Sequence, residues 1–180
     1  MKRERSLIME IEKGTVYFIT GLSGAGKTTV GNLLFEYMKS KKSNVIIIDG
    51  DAFRQVMRNE DYSEEGRKRQ SEIVCRMAKF LIDQGIDVIM CAIGMREYIR
   101  KQNREMLENY YEIFLDVSMD ELIRRDSKGL YVAAKKGEIK NVYGIDLIPE
   151  FPVKPDLQIK NKGSISPSDA CRLIVEYFHL

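Results

Sequence analysis

The chain has no tryptophan, a single histidine, three cysteines and only four prolines in 180 residues. Cys75, Cys91 and Cys171 stand far apart in apolar company, lacking both the paired spacing of a zinc cluster and the density of a disulfide framework. A reduced, cytoplasmic protein is therefore expected. No apolar run approaches the roughly 20 residues that a membrane-spanning helix requires. Residues 1–13 carry charges throughout, apart from Leu7, Ile8 and Met9, and read as an N-terminal extension that is not a secretion signal. An excess of one charge is missing too. The 29 Lys and Arg nearly balance the 27 Asp and Glu, leaving a net charge of +2 that does not make a nucleic-acid polymer the expected partner. With no repeat, low-complexity tract or Pro/Gly/Ser-rich linker, residues 1–180 are expected to form one domain.

What the chain does have is alternation. Short apolar runs at residues 15–20, 44–49, 86–93, 111–117 and 156–160 read as strands. Between them lie helical patterns. Residues 29–39 space Val30, Leu33, Leu34 and Tyr37 along one face, and residues 64–84 do the same with Ile73, Val74, Met77, Phe80 and Leu81. Helices are also predicted at 96–107 and 119–125. A last one is capped by Ser166 with Pro167 in its first position. This order predicts an α/β fold, a five-stranded parallel sheet flanked by helices, with ligands beyond the carboxyl ends of the strands. Residues 126–155 break the pattern, holding five glycines and prolines before Pro155 and no long apolar stripe; such a loop is expected to be a lid.

Gly21-Leu22-Ser23-Gly24-Ala25-Gly26-Lys27-Thr28 satisfies G-x-x-x-x-G-K-[ST] between a predicted strand and a predicted helix, with Thr29 following. Glycines let successive backbone N–H groups turn toward phosphate oxygens, and the helix adds its positive N-terminal end. Lys27 would reach the β- and γ-phosphates of ATP, and Thr28 would ligate Mg²⁺. The motif does not say where the phosphoryl group goes.

Asp49-Gly50-Asp51 closes the second strand at the same sheet edge. Transfer to an alcohol needs a group that orients and deprotonates the hydroxyl, a task suited to Asp51; the bland alternative is that Asp51 caps a helix starting at Ala52. Arg54 would follow on the first turn of that helix. Arg67 and Gln70, at i and i+3 opposite the apolar stripe, could face the same cleft or water. Arg96, Arg100 and Arg104 share a face that either contacts an anion or stays wet. Cys91 reads as a small buried hydrophobe, His179 as a solvated terminal residue and the nine methionines as core filler.

Taken together, Gly21 to Thr29, Asp49-Gly-Asp-Ala-Phe-Arg54, Arg125-Asp-Ser-Lys-Gly-Leu-Tyr131, Gly137-Glu-Ile-Lys140, Gly144-Ile145 and Pro155-Asp156 resemble an adenylylsulfate kinase, over roughly residues 15 to 160. That family phosphorylates the 3′-hydroxyl of adenosine 5′-phosphosulfate (APS). The resemblance implies a P-loop kinase fold, Mg-ATP as donor, Asp51 and Lys27 as catalytic groups, and Arg54 and Arg67 as contacts to the substrate anion. It also implies Asp49, Tyr62, Gln70, Ile93, Gly129, Leu130 and Val142 at the substrate, and Lys128 and Lys140 as lid residues closing over the nucleotides. A small nucleotide is the expected partner, with a homodimer as an open expectation.

The departures gather on the acceptor side. The family's aromatic pair around the adenine falls at Tyr62 and Val142, its substrate-contacting asparagine at Gln70, and a serine of its Phe-Ile-Ser-Pro motif at Gly94. APS is the leading expected acceptor. Cytidine diphosphoramidate, which relatives of the family phosphorylate for capsule modification, is the alternative. A small-metabolite P-loop kinase or a nucleotide switch without turnover are further readings. Charge points to the lid: residues 124–141 hold six basic and two acidic side chains, a net of +4, while the rest of the chain nets −2.

Overall fold

The computed structural model describes residues 12–126 and 129–180. Five parallel strands, β1 (Val16–Thr20), β2 (Val45–Asp49), β3 (Asp87–Ala92), β4 (Tyr110–Val117) and β5 (Leu157–Asn161), form one sheet in the order β2-β3-β1-β4-β5. The side chains of β1 are buried on both faces, as the unbroken apolar run requires. Tyr17 and Ile19 enter one core with α1 (Lys27–Lys39) and α7 (Pro167–Phe178), whereas Val16 and Phe18 enter the opposite core with α3 (Glu64–Ile82). The remaining helices are α2 (Gly50–Val56), α4 (Glu97–Met106), α5 (Met119–Arg125) and α6 (Leu130–Lys135).

Register positions the site. Asp49 lies beside Cys91, and Thr20 beside Ala92, so β1, β2 and β3 end level. The glycine loop, Asp49-Gly50-Asp51 and Ile93-Gly94 therefore leave the sheet at one edge.

Several expectations need correction. On α3 the buried face runs through Gly66, Gln70, Val74, Cys75, Ala78 and Ile82, while Met77 and Phe80 are exposed. The larger apolar residues suggested a stripe, but α3 is seated through its smaller ones, and Gln70 continues the buried face where it was expected opposite. On α1, Met38 is buried and Leu33 is on the rim. The helix after β2 begins at Gly50 and its cap is Asp49, which accepts from the backbone N–H groups of Asp51 and Ala52 at 3.1 Å. Asp51 is therefore not the cap, and Arg54 lies in the last turn. The loop at 126–155 carries α6, whose first turn is fixed by Asp126 accepting from the N–H groups of Tyr131 and Val132.

The arginine row along α4 is engaged by carbonyls and carboxylates of the protein itself, with only Arg104 exposed. Arg96 makes a bidentate pair with Glu64 and donates to the Ile148 carbonyl. Arg100, buried, donates to the carbonyls of Gly94 and Glu150 at 2.7 and 2.8 Å, and Arg104 pairs with Asp156 at 3.1 Å. The row straps the 148–156 segment to α4. Glu112, buried between Arg100 and Arg104, still has its pKa pushed up by burial. His179 ends α7 in a left-handed conformation at the exposed terminus.

Candidate active site

A cavity of about 690 Å³ opens at the carboxyl edge of β1, β2 and β3. That is within the range of roughly 300–1,000 Å³ usual for small-molecule sites. The half at the glycine loop is built by main chain. Gly24 and Gly26 take φ of 77° and 94°, the left-handed region that favours glycine, and Gly26 is the N-cap of the 13-residue α1. Such turns let loop N–H groups face an anion at the positive end of the helix, while the Ala25 N–H donates within the loop to the Leu22 carbonyl at 3.2 Å. Lys27 Nζ donates back to the Leu22 carbonyl at 2.9 Å. From outside the loop, the Tyr131 hydroxyl donates to the Ser23 carbonyl at 2.8 Å, joining α6 to the phosphate loop. Burial pushes the Tyr131 pKa up to about 12, so the hydroxyl keeps its proton at any physiological pH.

Thr28 Oγ1 donates to Asp49 Oδ2 at 2.6 Å, while Oδ1 of Asp49 serves as the cap. Two hard oxygens side by side fit Mg²⁺, which prefers one or two protein oxygens together with phosphate oxygens and water. Asp51, one turn of chain further, lines the cavity from an exposed position. Cys91 lies beneath the loop with its thiol toward the Lys27 carbonyl at 3.4 Å, and burial pushes its pKa up to about 12. A thiol so buried is no nucleophile.

The other half is built by side chains. Arg54 is buried in the wall, donates to the Asp61 carbonyl at 2.9 Å, and has its guanidinium 4.4 Å from the centre of the Tyr62 ring. Arg67 lies 5.7 Å from Tyr62 and 4.8 Å from Tyr143, and Arg96 lies 5.4 Å from Tyr143. Cations and rings therefore alternate along a ladder that holds two guanidinium groups, those of Arg54 and Arg67, at the cavity. Arg67 is also fixed by donating to the carbonyls of Tyr62 and Asn141 at 3.0 and 2.6 Å. Burial lowers the Arg54 pKa from its ordinary value, with Tyr62, Asp51 and Asp61 pulling the other way. Val142 is buried at the position of the expected second aromatic. Gly94 takes φ of 56°, and a β-carbon there would stand 2.6 Å from the Phe18 ring, so this backbone excludes a serine at that position.

Of the residues expected from sequence, Ser23, Gly24, Gly26, Lys27, Thr28, Thr29, Asp49, Asp51, Arg54, Tyr62, Arg67, Gln70, Ile93, Leu130, Lys140 and Val142 all line this one cavity. Gly21, Leu22 and Ala25 do not; they turn inward beneath the phosphate loop, buried. Gly129 caps α6 outside the lining, and Lys128 lies outside the described residues. Sequence reasoning took Tyr131 only as the end of a lid motif and missed Tyr143, which was legible only as an aromatic in a segment read as loop; both line the cavity. Among the described residues no helix is long and apolar enough to cross a membrane, and no group of three His, Cys, Asp or Glu could hold a metal ion.

A G-x-x-x-x-G-K-T loop joining a central parallel strand to a helix, with two aspartates at the end of a nearby strand, defines a P-loop phosphotransferase. The model of one such family, adenylylsulphate kinase, matches residues 13–160, and the chain belongs to that family. It is 41% identical to the cytidine diphosphoramidate kinase of Campylobacter jejuni, over 89% of this chain and 94% of that protein. It is 36% identical to the adenylyl-sulfate kinase of Pseudomonas aeruginosa, over 92% and 86%. Among solved structures, the adenylylsulfate kinase of Mycobacterium tuberculosis in complex with AMPPNP and APS superposes with a TM-score of 0.87 at 28% identity, covering 93% of this chain and 99% of that one. The protein is a kinase.

Proposed function

We propose that the protein transfers the γ-phosphoryl group of ATP to the ribose 3′-hydroxyl of a small nucleotide with an anionic 5′ tail, and that this acceptor is a cytidine nucleotide of the cytidine diphosphoramidate type. The observation that carries the choice of base is the clamp. Tyr62 offers an exposed aromatic ring on the acceptor side, but Val142 is aliphatic and buried where a second ring would stand. One ring and a small apolar wall suit a pyrimidine, and a purine would lose half of its stacking, worth about 0.5–1.5 kcal/mol per aromatic pair. The likeness to the Campylobacter enzyme supports the same choice. Adenylylsulfate is the second reading, supported by the intact guanidinium pair Arg54 and Arg67 and by the likeness to the Pseudomonas enzyme.

The chemistry needs few groups. Asp51 would accept the proton of the 3′-hydroxyl as its oxygen attacks the γ-phosphorus and the bond to the β–γ bridging oxygen breaks, releasing ADP. Lys27 and the N–H groups of the phosphate loop would stabilise the charge that develops on the transferring group. Thr28 and Asp49 would hold Mg²⁺, which supplies further charge neutralisation on the phosphates. The basic segment 124–141 acts as a lid in this reading, because six cavity residues, from Asp126 to Asn141, belong to it. The test is direct. Incubation with Mg-ATP and, separately, cytidine diphosphoramidate and adenylylsulfate should yield a 3′-phosphorylated product by mass spectrometry, and D51N should make none. Turnover of neither nucleotide, or normal turnover by D51N, contradicts the reading.

A further inference from the structure

Gln70 is 6% exposed and lines the acceptor half of the cavity, yet its amide nitrogen Nε2 is buried without a hydrogen-bond partner. A buried donor left unmade is costly, so its presence asks what satisfies it. Its direction is not accidental. The backbone N–H of Asp61 can only donate, and it donates to Asn59 Oδ1 at 3.0 Å. That fixes the other end of the Asn59 amide as Nδ2, which donates to Gln70 Oε1 at 2.8 Å. With Oε1 turned to Asn59, the end of the Gln70 amide that has no partner is the donor Nε2. The same loop is held against the wall by Arg54, whose Nη1 donates to the Asp61 carbonyl at 2.9 Å. The three groups that converge here, Arg54, Arg67 and Gln70, are all donors.

We infer that Asn59 is a positioning residue: it locks the Gln70 amide so that Nε2 is presented to an oxygen of the acceptor's anionic tail. The inference rests on the reading of this cavity half as the acceptor site, and adds to it that the subsite is polar in one sense only, taking tail oxygens and rejecting donors. The extra methylene of glutamine over asparagine gives the side chain the reach to engage the 59–63 loop with one end and the ligand with the other. An aspartate at 59 would still accept from the Asp61 N–H, but its second oxygen could not donate. Gln70 would then turn to donate to it, and would present Oε1 to an anion.

The test is a double-mutant cycle read by equilibrium binding of cytidine 5′-diphosphate and of adenylylsulfate, with steady-state kinetics on whichever acceptor turns over. N59D should weaken binding of the tailed nucleotide about 10- to 100-fold, the range expected for losing a hydrogen bond to a charged group. It should raise the acceptor KM with kcat and the ATP KM within about twofold. With Gln70 replaced, in Q70A or, should that variant have a lowered Tm, in Q70M, the same N59D change should cost at least fivefold less. An N59D penalty of equal size with and without Gln70 would make Asn59 a general support of the loop and overturn the inference. So would the absence of any penalty, or failure of both nucleotides to bind the wild-type protein. Binding without turnover of either acceptor would instead overturn the proposed function, while the cycle still decides the role of Asn59.

Discussion

The two halves of the cavity are held in different ways. On the side proposed for ATP, the groups that would meet phosphate are backbone N–H groups of a loop turned by Gly24 and Gly26, with Lys27, Thr28 and Asp49 lining the cavity at the sheet edge. On the side proposed for the acceptor the same task would fall to long side chains, with Arg54 and Arg67 held by rings and loop carbonyls and Gln70 by the Asn59 amide. A phosphate cradle made of main chain tolerates almost any side-chain change around it. A site made of side chains can be retuned one residue at a time, and the departures from the family pattern at Val142, Gln70 and Gly94 lie on that half.

The largest expected effect lies where the halves meet. D51N should lower kcat by about 10²–10⁴-fold, the range of a lost general base, and leave the ATP dissociation constant within about twofold. Steady-state kinetics and a nucleotide-binding titration check both numbers; an unchanged kcat would remove Asp51 from the chemistry.

Next comes the base clamp. V142F should shift the ratio of kcat/KM toward adenylylsulfate by about 2- to 10-fold, corresponding to one aromatic contact. Because Val142 is buried, the larger ring should also lower Tm by a few degrees through overpacking. An unchanged substrate ratio at a measurably lower Tm would show that position 142 does not face the base.

A smaller effect tests whether the lid supports the donor half. Y131F removes the hydroxyl that the Ser23 carbonyl accepts and leaves that carbonyl without this partner. The ATP KM should rise by up to about fivefold, from a net hydrogen bond of ~1 kcal/mol, with the acceptor KM unchanged. A rise in the acceptor KM alone would assign Tyr131 to the other half.

The smallest effect concerns the root of the lid. Hydrogen bonds from Arg124 and Arg125 hold the Glu121 carboxyl down at about 2. A folded value below the ordinary one means stability that is fully present above about pH 4.5 and is lost as the pH falls from there through about 2. E121Q should therefore flatten the acid limb of Tm against pH across that window and change little at neutral pH.

How much of this was legible beforehand follows from the same contrast. The phosphate loop and Asp49-Gly50-Asp51 are contiguous, and their spacing between strand and helix is their geometry, so both could be placed from sequence. The five-stranded parallel sheet follows equally from apolar runs that alternate with helices, whereas its order, β2-β3-β1-β4-β5, does not. Gln70 could be assigned to the site, but the direction of its amide depends on Asn59, eleven residues away in a loop of no regular pattern. Periodicity misjudged α3 because Met77 and Phe80 weigh more on any hydrophobic scale than Ala78 and Cys75, whereas close packing favours the smaller side chains. The arginines at 96, 100 and 104 were legible as a face, but their carbonyl and carboxylate partners come from residues 94, 112 and 148–156.

The central claim is that the acceptor half has been retuned while the donor half has not. One competition measures it: equal concentrations of cytidine diphosphoramidate and adenylylsulfate, limiting Mg-ATP, and mass spectrometry of both 3′-phosphorylated products at early times. The account predicts an excess of the cytidine product. A dominant adenylylsulfate product would contradict it and show that Val142 leaves the family's base preference intact.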